Sequence, residues 1–218
     1  MKIKNVTVAG TGVLGSQIAF QSAFKGFKVS AFDINDEEIK NAKERIDVLK
    51  ERYQEDKYGS KKEVDDACDR ISFFTDLAKA VENADIVIEA IPEVLSIKQD
   101  FYEKLSKVAN KETIFASNSS TMIPSQIVEF TDRPEKYLHL HFANEIWRLN
   151  IAEIMKHEGT SMEVFDEVIE FAKAIGMVPI PLKKEQPGYV LNSLLVPHLK
   201  ASIQMASDGI ADPKIIDK

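Results

Sequence analysis

The sequence predicts an α/β fold: a Rossmann-type, doubly wound, mostly parallel sheet with an inserted helical hairpin, followed by the start of a helical second domain. Three observations carry that expectation. Short apolar runs alternate with amphipathic helical patterns along most of the 218 residues, as in a parallel sheet covered by helices on both faces. The first run, Val6–Ala9, ends in Gly10-x-Gly12-x-x-Gly15 and opens into a helix-like stretch. Beyond Pro187-Gly188 the alternation stops and a more apolar helical pattern takes over.

The expected strands are 4–9, 28–32, 71–75, 85–91, 113–117, 137–142, 149–155 and 178–182, with helices at 13–25, 76–83, 95–109 and 161–175. Residues 36–69 break the rhythm. They are charged and rich in helix formers, and Tyr58-Gly59-Ser60 divides them, so they read as a helical hairpin inserted between the second and third strands. Residues 189–209 read as an apolar helix interrupted by Pro197 and stopped by Gly209, and Asp212-Pro213 as the N-cap and first turn of another. The expected division is a cofactor domain over 1–185 and, over 186–218, the first part of a helical substrate and dimerisation domain that is cut short.

Composition narrows the function. A net charge of −7 argues against a nucleic-acid surface, which needs a basic excess, and against attraction to anionic membranes. The single cysteine, Cys68, permits no intrachain disulfide and points to a reducing compartment. It reads as a surface or helix-packing residue. "MKIKNVTVAG" passes straight into a strand without a signal-peptide core, and no apolar run approaches the ~20 residues of a membrane span. The expectation is a cytoplasmic protein.

The glycine motif meets four contextual requirements together: a strand precedes it, a helix pattern follows, a second strand comes next, and Asp33 closes that strand eighteen residues beyond Gly15. Gly10 permits the tight turn, Gly12 lets backbone approach a pyrophosphate, and Gly15 lets the helix pack close to the sheet. The helix N-terminus offers N–H groups to the phosphates. Asp33 can accept from ribose hydroxyls and would repel a 2′-phosphate, which favours NAD over NADP. "DIVIEAIPE" (85–93) runs from a buried strand to a polar tip at Glu89, Ala90 and Pro92, and "FASNSST" (115–121) ends the next strand with small polar residues. Ligands bind beyond such carboxyl ends.

Oxidation of an alcohol by NAD needs a base for the hydroxyl proton. Histidine suits that task near neutral pH, and a carboxylate behind it fixes the tautomer. "YLHLHFANEIWRLNIAEIM" (137–155) places His139 and His141 on one face of a strand and Glu153 inside the next apolar run. Burying that carboxylate is costly without a partner, and a nearby imidazole would serve.

In "GTGVLGSQIA", "FDIN", "IEAIPE", "SNSS", "HFAN" with a glutamate twelve residues past the histidine, and "PGYVLNSLLVPHLKA", the chain resembles the L-3-hydroxyacyl-CoA dehydrogenase family, 3-hydroxybutyryl-CoA dehydrogenases included. The resemblance implies His141 as catalytic acid/base with Glu153 as its partner, Ser120 bonding the reacting oxygen, and Asn192 facing substrate. For NAD it implies Gly10, Gly12, Val13, Leu14, Gly15, Asp33, Ala90, Ile91, Glu93, Lys98, Asn118 and Asn144. It implies an acyl-CoA substrate contacted by the 36–69 hairpin, where Lys50, Lys57, Lys61 and Lys62 are candidates. A homodimer through the C-terminal helices is implied as well; no metal is called for.

Two departures stand out. The family's His-Phe-Phe-Asn-Pro reads "HFANE" here, and Ile146, Trp147 and Arg148 are bulky where the family commonly has "VPVMKL", so the acyl pocket is expected to be reshaped. His139 stands where the family often has a small residue, and it either perturbs His141 or packs beside it. Two alternatives therefore accompany the acyl-CoA reading: a dehydrogenase of a small non-CoA 3-hydroxy acid of the gulonate or carnitine type, and a non-catalytic NAD-binding protein. Joint retention of His141, Glu153, Ser120 and Asn192 argues against the latter.

Overall fold

The computed structural model describes residues 2–218. Its strands are β1 (Asn5–Ala9), β2 (Lys28–Phe32), β3 (Ile71–Phe74), β4 (Ile86–Glu89), β5 (Ile114–Ser117), β6 (Tyr137–Phe142), β7 (Ile151–Met155) and β8 (Val178–Leu182). The α-helices are α1 (Val13–Phe24), α2 (Asp36–Glu55), α3 (Lys61–Cys68), α4 (Leu77–Val81), α5 (Leu95–Val108), α6 (Met162–Ala174), α7 (Leu191–Ser207) and α8 (Pro213–Ile216).

The strands form one sheet in the order β3-β2-β1-β4-β5-β6-β7-β8. All neighbours run parallel except β6 and β7. The chain winds outward from β1 to β3 and returns to place β4 beside β1, a topological switch point where a ligand crevice opens at the strands' carboxyl ends. The central strands are short apolar runs because both their faces are covered. Val6, Val8, Ile86 and Ile88 point into one core beneath α1 and α6. Ala9, Val87 and Phe115 point into a second, beneath α4 and α5.

The inserted hairpin is α2 and α3. Asn35 caps α2 through its side chain, and Ser60 and Glu63 form a reciprocal capping box on α3. Ile39, Ala42, Ile46, Leu49 and Tyr53 recur every three or four residues and are buried. Tyr53 meets Phe20 of α1 edge-on at 4.8 Å, which fixes the hairpin beside the glycine turn.

Three expected elements differ. The strand expected at 85–91 stops at Glu89, because the Ile91 N–H turns back to the Glu89 carboxylate instead of joining the ladder. The strand expected at 149–155 begins at Ile151, since Arg148 and Leu149 both donate backwards to the Glu145 carbonyl. The helix expected to break at Pro197 runs on from Leu191 to Ser207. An interior proline removes the bond to the carbonyl four residues earlier and crowds that carbonyl, and on this exposed helix the Ser193 carbonyl is free to tilt toward solvent. α7 buries no residue and leaves Leu194, Leu195, Val196, Leu199 and Ile203 exposed. Among the described residues, no helix is long and apolar enough to cross a membrane.

Candidate active site

The glycine turn is shaped by contacts that exclude side chains. Gly10 has φ +90°, and a Cβ there would lie 2.6 Å from the Ala90 carbonyl oxygen. A Cβ on Gly15 would overlap the Gly10 carbonyl oxygen, while one on Gly12 would meet nothing. Gly12 therefore faces open space. No side chain caps α1, and the first turn bond is Ser16 N–H to Gly12 O, so the helix presents free N–H groups at its positive end. Gly12, Val13, Leu14 and Gly15 line a cavity of about 260 Å³ with Glu89, Ala90, Ile91, Glu93, Lys98, Asn118 and Ser120. Open space at Gly12 and uncapped helix amides suit a pyrophosphate.

Asp33, at the end of β2, is half-buried. Its carboxylate accepts from Thr11 N–H and Thr11 Oγ1 (both 2.7 Å) and from Ile34 N–H (2.8 Å). A carboxylate offers about four acceptor positions, which leaves one for a ribose hydroxyl. Arg45 of α2 donates to the Thr11 carbonyl at 3.1 Å, a tie between hairpin and turn that no local motif signals.

The far wall of the cavity is ionic. Glu89, expected at a polar tip, is wholly buried. It pairs with the equally buried Lys98 ammonium at 2.6 Å and accepts from Ser117 Oγ (2.7 Å) and Ile91 N–H (3.0 Å). Desolvation makes such a charge untenable alone, so the strand end folds around its counter-ion. Lys98 also reaches Glu93 at 3.3 Å. Burial alone would raise the Glu93 carboxyl, but donation from Ser119 and Thr121 together with the Lys98 charge holds it at about 2. Asn118 Oδ1 accepts from Phe142 N–H at 2.9 Å, which leaves its amide N–H groups for the cavity.

The antiparallel β6–β7 pair sets His141 directly opposite Glu153. His141 Nδ1 lies 2.9 Å from Glu153 Oε2, and Nε2 lies 3.2 Å from Ser120 Oγ. A carboxylate accepts only, so Nδ1 carries the hydrogen and the Nε2 lone pair faces Ser120. The other oxygen of Glu153 accepts from Val190 and Leu191 N–H, both at 2.9 Å. Burial would raise this carboxyl; the bonds from His141, Leu191 and Val190 outweigh it and lower it. Tyr189 stacks on the His141 ring at 4.5 Å and 16°.

Ser120 belongs both to the cavity wall and to the histidine, so the α1 turn and the His–Glu pair share one site. Asp33 and Gly10 stand behind the turn, outside the cavity lining. Asn144 is exposed, and neither it nor Asn192 makes a side-chain hydrogen bond among the described residues; Asn192 follows directly on Leu191. Residues 5–186 match the family described as 3-hydroxyacyl-CoA dehydrogenase, NAD binding domain.

The chain belongs to the 3-hydroxyacyl-CoA dehydrogenase family.

It is 33% identical to the human mitochondrial hydroxyacyl-coenzyme A dehydrogenase over 99% of this chain and 70% of that one. It is also 33% identical to a probable 3-hydroxybutyryl-CoA dehydrogenase of Bacillus subtilis, over 100% of this chain and 75% of the relative. Among solved structures, a diketoreductase described as acting on dicarbonyl compounds superimposes with a TM-score of 0.95 at 53% identity, covering 99% of this chain and 76% of that one. As a member of the 3-hydroxyacyl-CoA dehydrogenase family the chain is an NAD-binding dehydrogenase, and the cavity at Gly12 is where its residues fit that cofactor.

The "HFANE" departure has a structural basis within this family member. Glu145 takes φ +58° and pairs with Arg52 of α2 at 3.4 Å. Trp147 is buried, lies 5.0 Å from Tyr53, and donates to Asp56 Oδ2 at 2.8 Å. The loop is thus tied to the hairpin. The sequence analysis does not single out Arg45 or Tyr189, and it places Glu89 at a polar tip rather than in the buried pair with Lys98.

Proposed function

We propose that the chain interconverts a 3-hydroxyacyl compound and its 3-keto form, with His141 as acid/base, Glu153 as its partner and Ser120 positioning the reacting oxygen. The observation that supports this reading best is the Glu153–His141–Ser120 line, which ends at the cofactor cavity. NAD held in this cavity would supply the hydride acceptor for C3 of the alcohol and, in its reduced form, the hydride donor for the ketone. Nε2 of His141 takes the hydroxyl proton as the C–O bond becomes a carbonyl, and Glu153 stabilises the imidazolium. In reduction His141 gives the proton back. Gly12, Val13, Leu14 and Gly15 would hold the pyrophosphate, and Ala90, Ile91 and Asn118 the nicotinamide end, with Asn192 facing the substrate.

An acyl-CoA is the substrate class of the named relatives. A second reading, a small dicarbonyl compound without CoA, is favoured by two observations. The hairpin 36–69 carries twelve acidic residues against eight basic ones, and two of its four candidate lysines are paired inside it, Lys50 with Asp65 at 3.6 Å and Lys62 with Asp66 at 2.6 Å. The 53% identity to a diketoreductase points the same way. We also propose that residues 186–218 begin a second domain whose α7 pairs two copies through its exposed apolar residues.

The test is NADH oxidation with acetoacetyl-CoA and with a free acetoacetate ester, for the native chain and His141→Ala. General acid/base loss should cut turnover by about 10²–10⁴ with NADH affinity unchanged. Undiminished turnover in His141→Ala would remove the histidine from the chemistry. A preference for the free ester would replace the acyl-CoA reading by the second one.

A further inference from the structure

His141 is bonded at Nδ1 to Glu153 and at Nε2 to Ser120, and both bonds lie in the ring plane, so neither fixes the tilt of that plane. Against one face of the ring lies Tyr189, stacked nearly parallel to it at 16° and 4.5 Å. Offset contact between aromatic faces at this spacing is favourable and geometrically specific. Tyr189 is itself unusual. It is fully buried and has φ +54°, the left-handed region that a bulky residue adopts only when its surroundings dictate it.

Those surroundings form a directed chain. The Tyr189 hydroxyl donates to the Ser119 carbonyl at 2.6 Å. A hydroxyl has one hydrogen, so toward His139 Nδ1, 2.9 Å away, it accepts. His139 Nδ1 therefore carries its hydrogen, and His139 Nε2 accepts from the Tyr137 hydroxyl at 3.0 Å. Burial, reinforced by the Lys98 charge, holds His139 well below the ordinary histidine range. It stays neutral and offers the one donor and one acceptor that this chain requires. The segment 189–191 thus touches three parts of the site: the ring of His141, the backbone of Ser119 beside Ser120, and the carboxylate of Glu153.

We propose that Tyr189, fixed in place by His139, is a positioning residue that sets the His141 ring plane and so aims Nε2 at the reacting oxygen. This rests on the acid/base reading of His141 given above. His139 acts on the reaction only through the Tyr189 hydroxyl, although it sits two residues from His141 on the same strand face. A misaimed base costs turnover steeply, because proximity and alignment carry much of the rate, whereas the cofactor cavity does not include Tyr189.

The experiment compares Tyr189→Leu, Tyr189→Phe, His139→Gln, the Tyr189→Phe/His139→Gln double variant and His141→Ala in NADH-dependent reduction, using whichever of acetoacetyl-CoA or the acetoacetate ester the native chain turns over. NADH affinity is measured alongside as a sign that each variant is folded. Tyr189→Leu should lower kcat about ten- to a hundredfold with KM and NADH affinity within about twofold. Tyr189→Phe keeps the stack and should recover most of that loss. His139→Gln should match Tyr189→Phe, and the double variant should be no slower than either single one. If the two losses multiply instead, His139 acts independently and the chain of positioning is wrong. If Tyr189→Leu turns over like the native protein while His141→Ala is dead, positioning fails and the acid/base reading stands. If His141→Ala is itself active, both fall. Should Tyr189→Leu not fold, the comparison of Tyr189→Phe, His139→Gln and their double variant still decides.

Discussion

On the β1–β2 side of the switch point the cavity wall is backbone: Gly12, Gly15 and the uncapped amides of α1, with Gly10, Asp33 and Arg45 behind them. On the β4–β7 side it is made of side chains: Lys98 between Glu89 and Glu93, and Ser120, with His141 and Glu153 behind it. The two walls face one cavity yet owe their shape to different physics. Steric exclusion shapes the first, so it should answer to added atoms and ignore pH. The second depends on mutual neutralisation in a low-dielectric interior, so it should answer to deleted charges and to protons.

Removing a charge from the ionic wall should have the largest effect. Lys98→Met strands the Glu89 carboxylate, and breaking a buried pair on one side typically costs about 3–5 kcal/mol, readable as a lowered midpoint in urea unfolding. Glu89→Gln combined with Lys98→Met should regain most of that loss. A neutral Lys98→Met would erase the contrast between the walls.

Adding one carbon to the backbone wall should come next. Gly15→Ala forces the new methyl onto the Gly10 carbonyl oxygen, a backbone atom that cannot swing aside as a side chain would. Overpacking of this kind costs about 1–3 kcal/mol, and because it displaces the turn, NADH affinity in a fluorescence titration should fall about tenfold or more. Wild-type affinity in Gly15→Ala would mean that the close packing of α1 against Gly10 does not shape the cofactor site.

The smallest effect is in acid. Glu93 is depressed from 4.5 to about 2 in the folded chain, so its stabilisation is complete above about pH 4.5 and is lost as pH falls toward 2. Glu153, also lowered, has the same sign. Glu93→Gln should therefore flatten the fall of melting temperature between about pH 4.5 and 2, while Gly15→Ala should leave that slope as it is. An unchanged slope in Glu93→Gln would refute the assignment.

The legibility of the molecule follows the same division. The glycine turn, its strands and Asp33 are readable because each depends on residues close in sequence, where backbone conformation and spacing decide the outcome. The hairpin is readable from its charged, helix-forming composition and the break at Tyr58-Gly59-Ser60. The buried state of Glu89 was not, because nothing local distinguishes a glutamate at a solvent tip from one whose counter-ion arrives on the next helix. Tyr189 was hidden for a stronger reason. Its meaning comes from His139, fifty residues earlier, through a sheet and a chain reversal that periodicity does not encode. Pro197 misled because a proline signals a break only where the lost bond has no substitute.

Placing His141 and Glu153 as direct cross-strand partners has one more consequence. Their separation is set by the ladder, and residues 143–150, which join the two strands, take no part in it. The cross-strand rung between His141 and Glu153 therefore depends on the register of β6 and β7, and the loop's ties run instead to α1 and α2. Glu145 and Trp147 carry those ties. The β6–β7 pairing thus separates what sets the distance between two side chains from what closes the loop against α2.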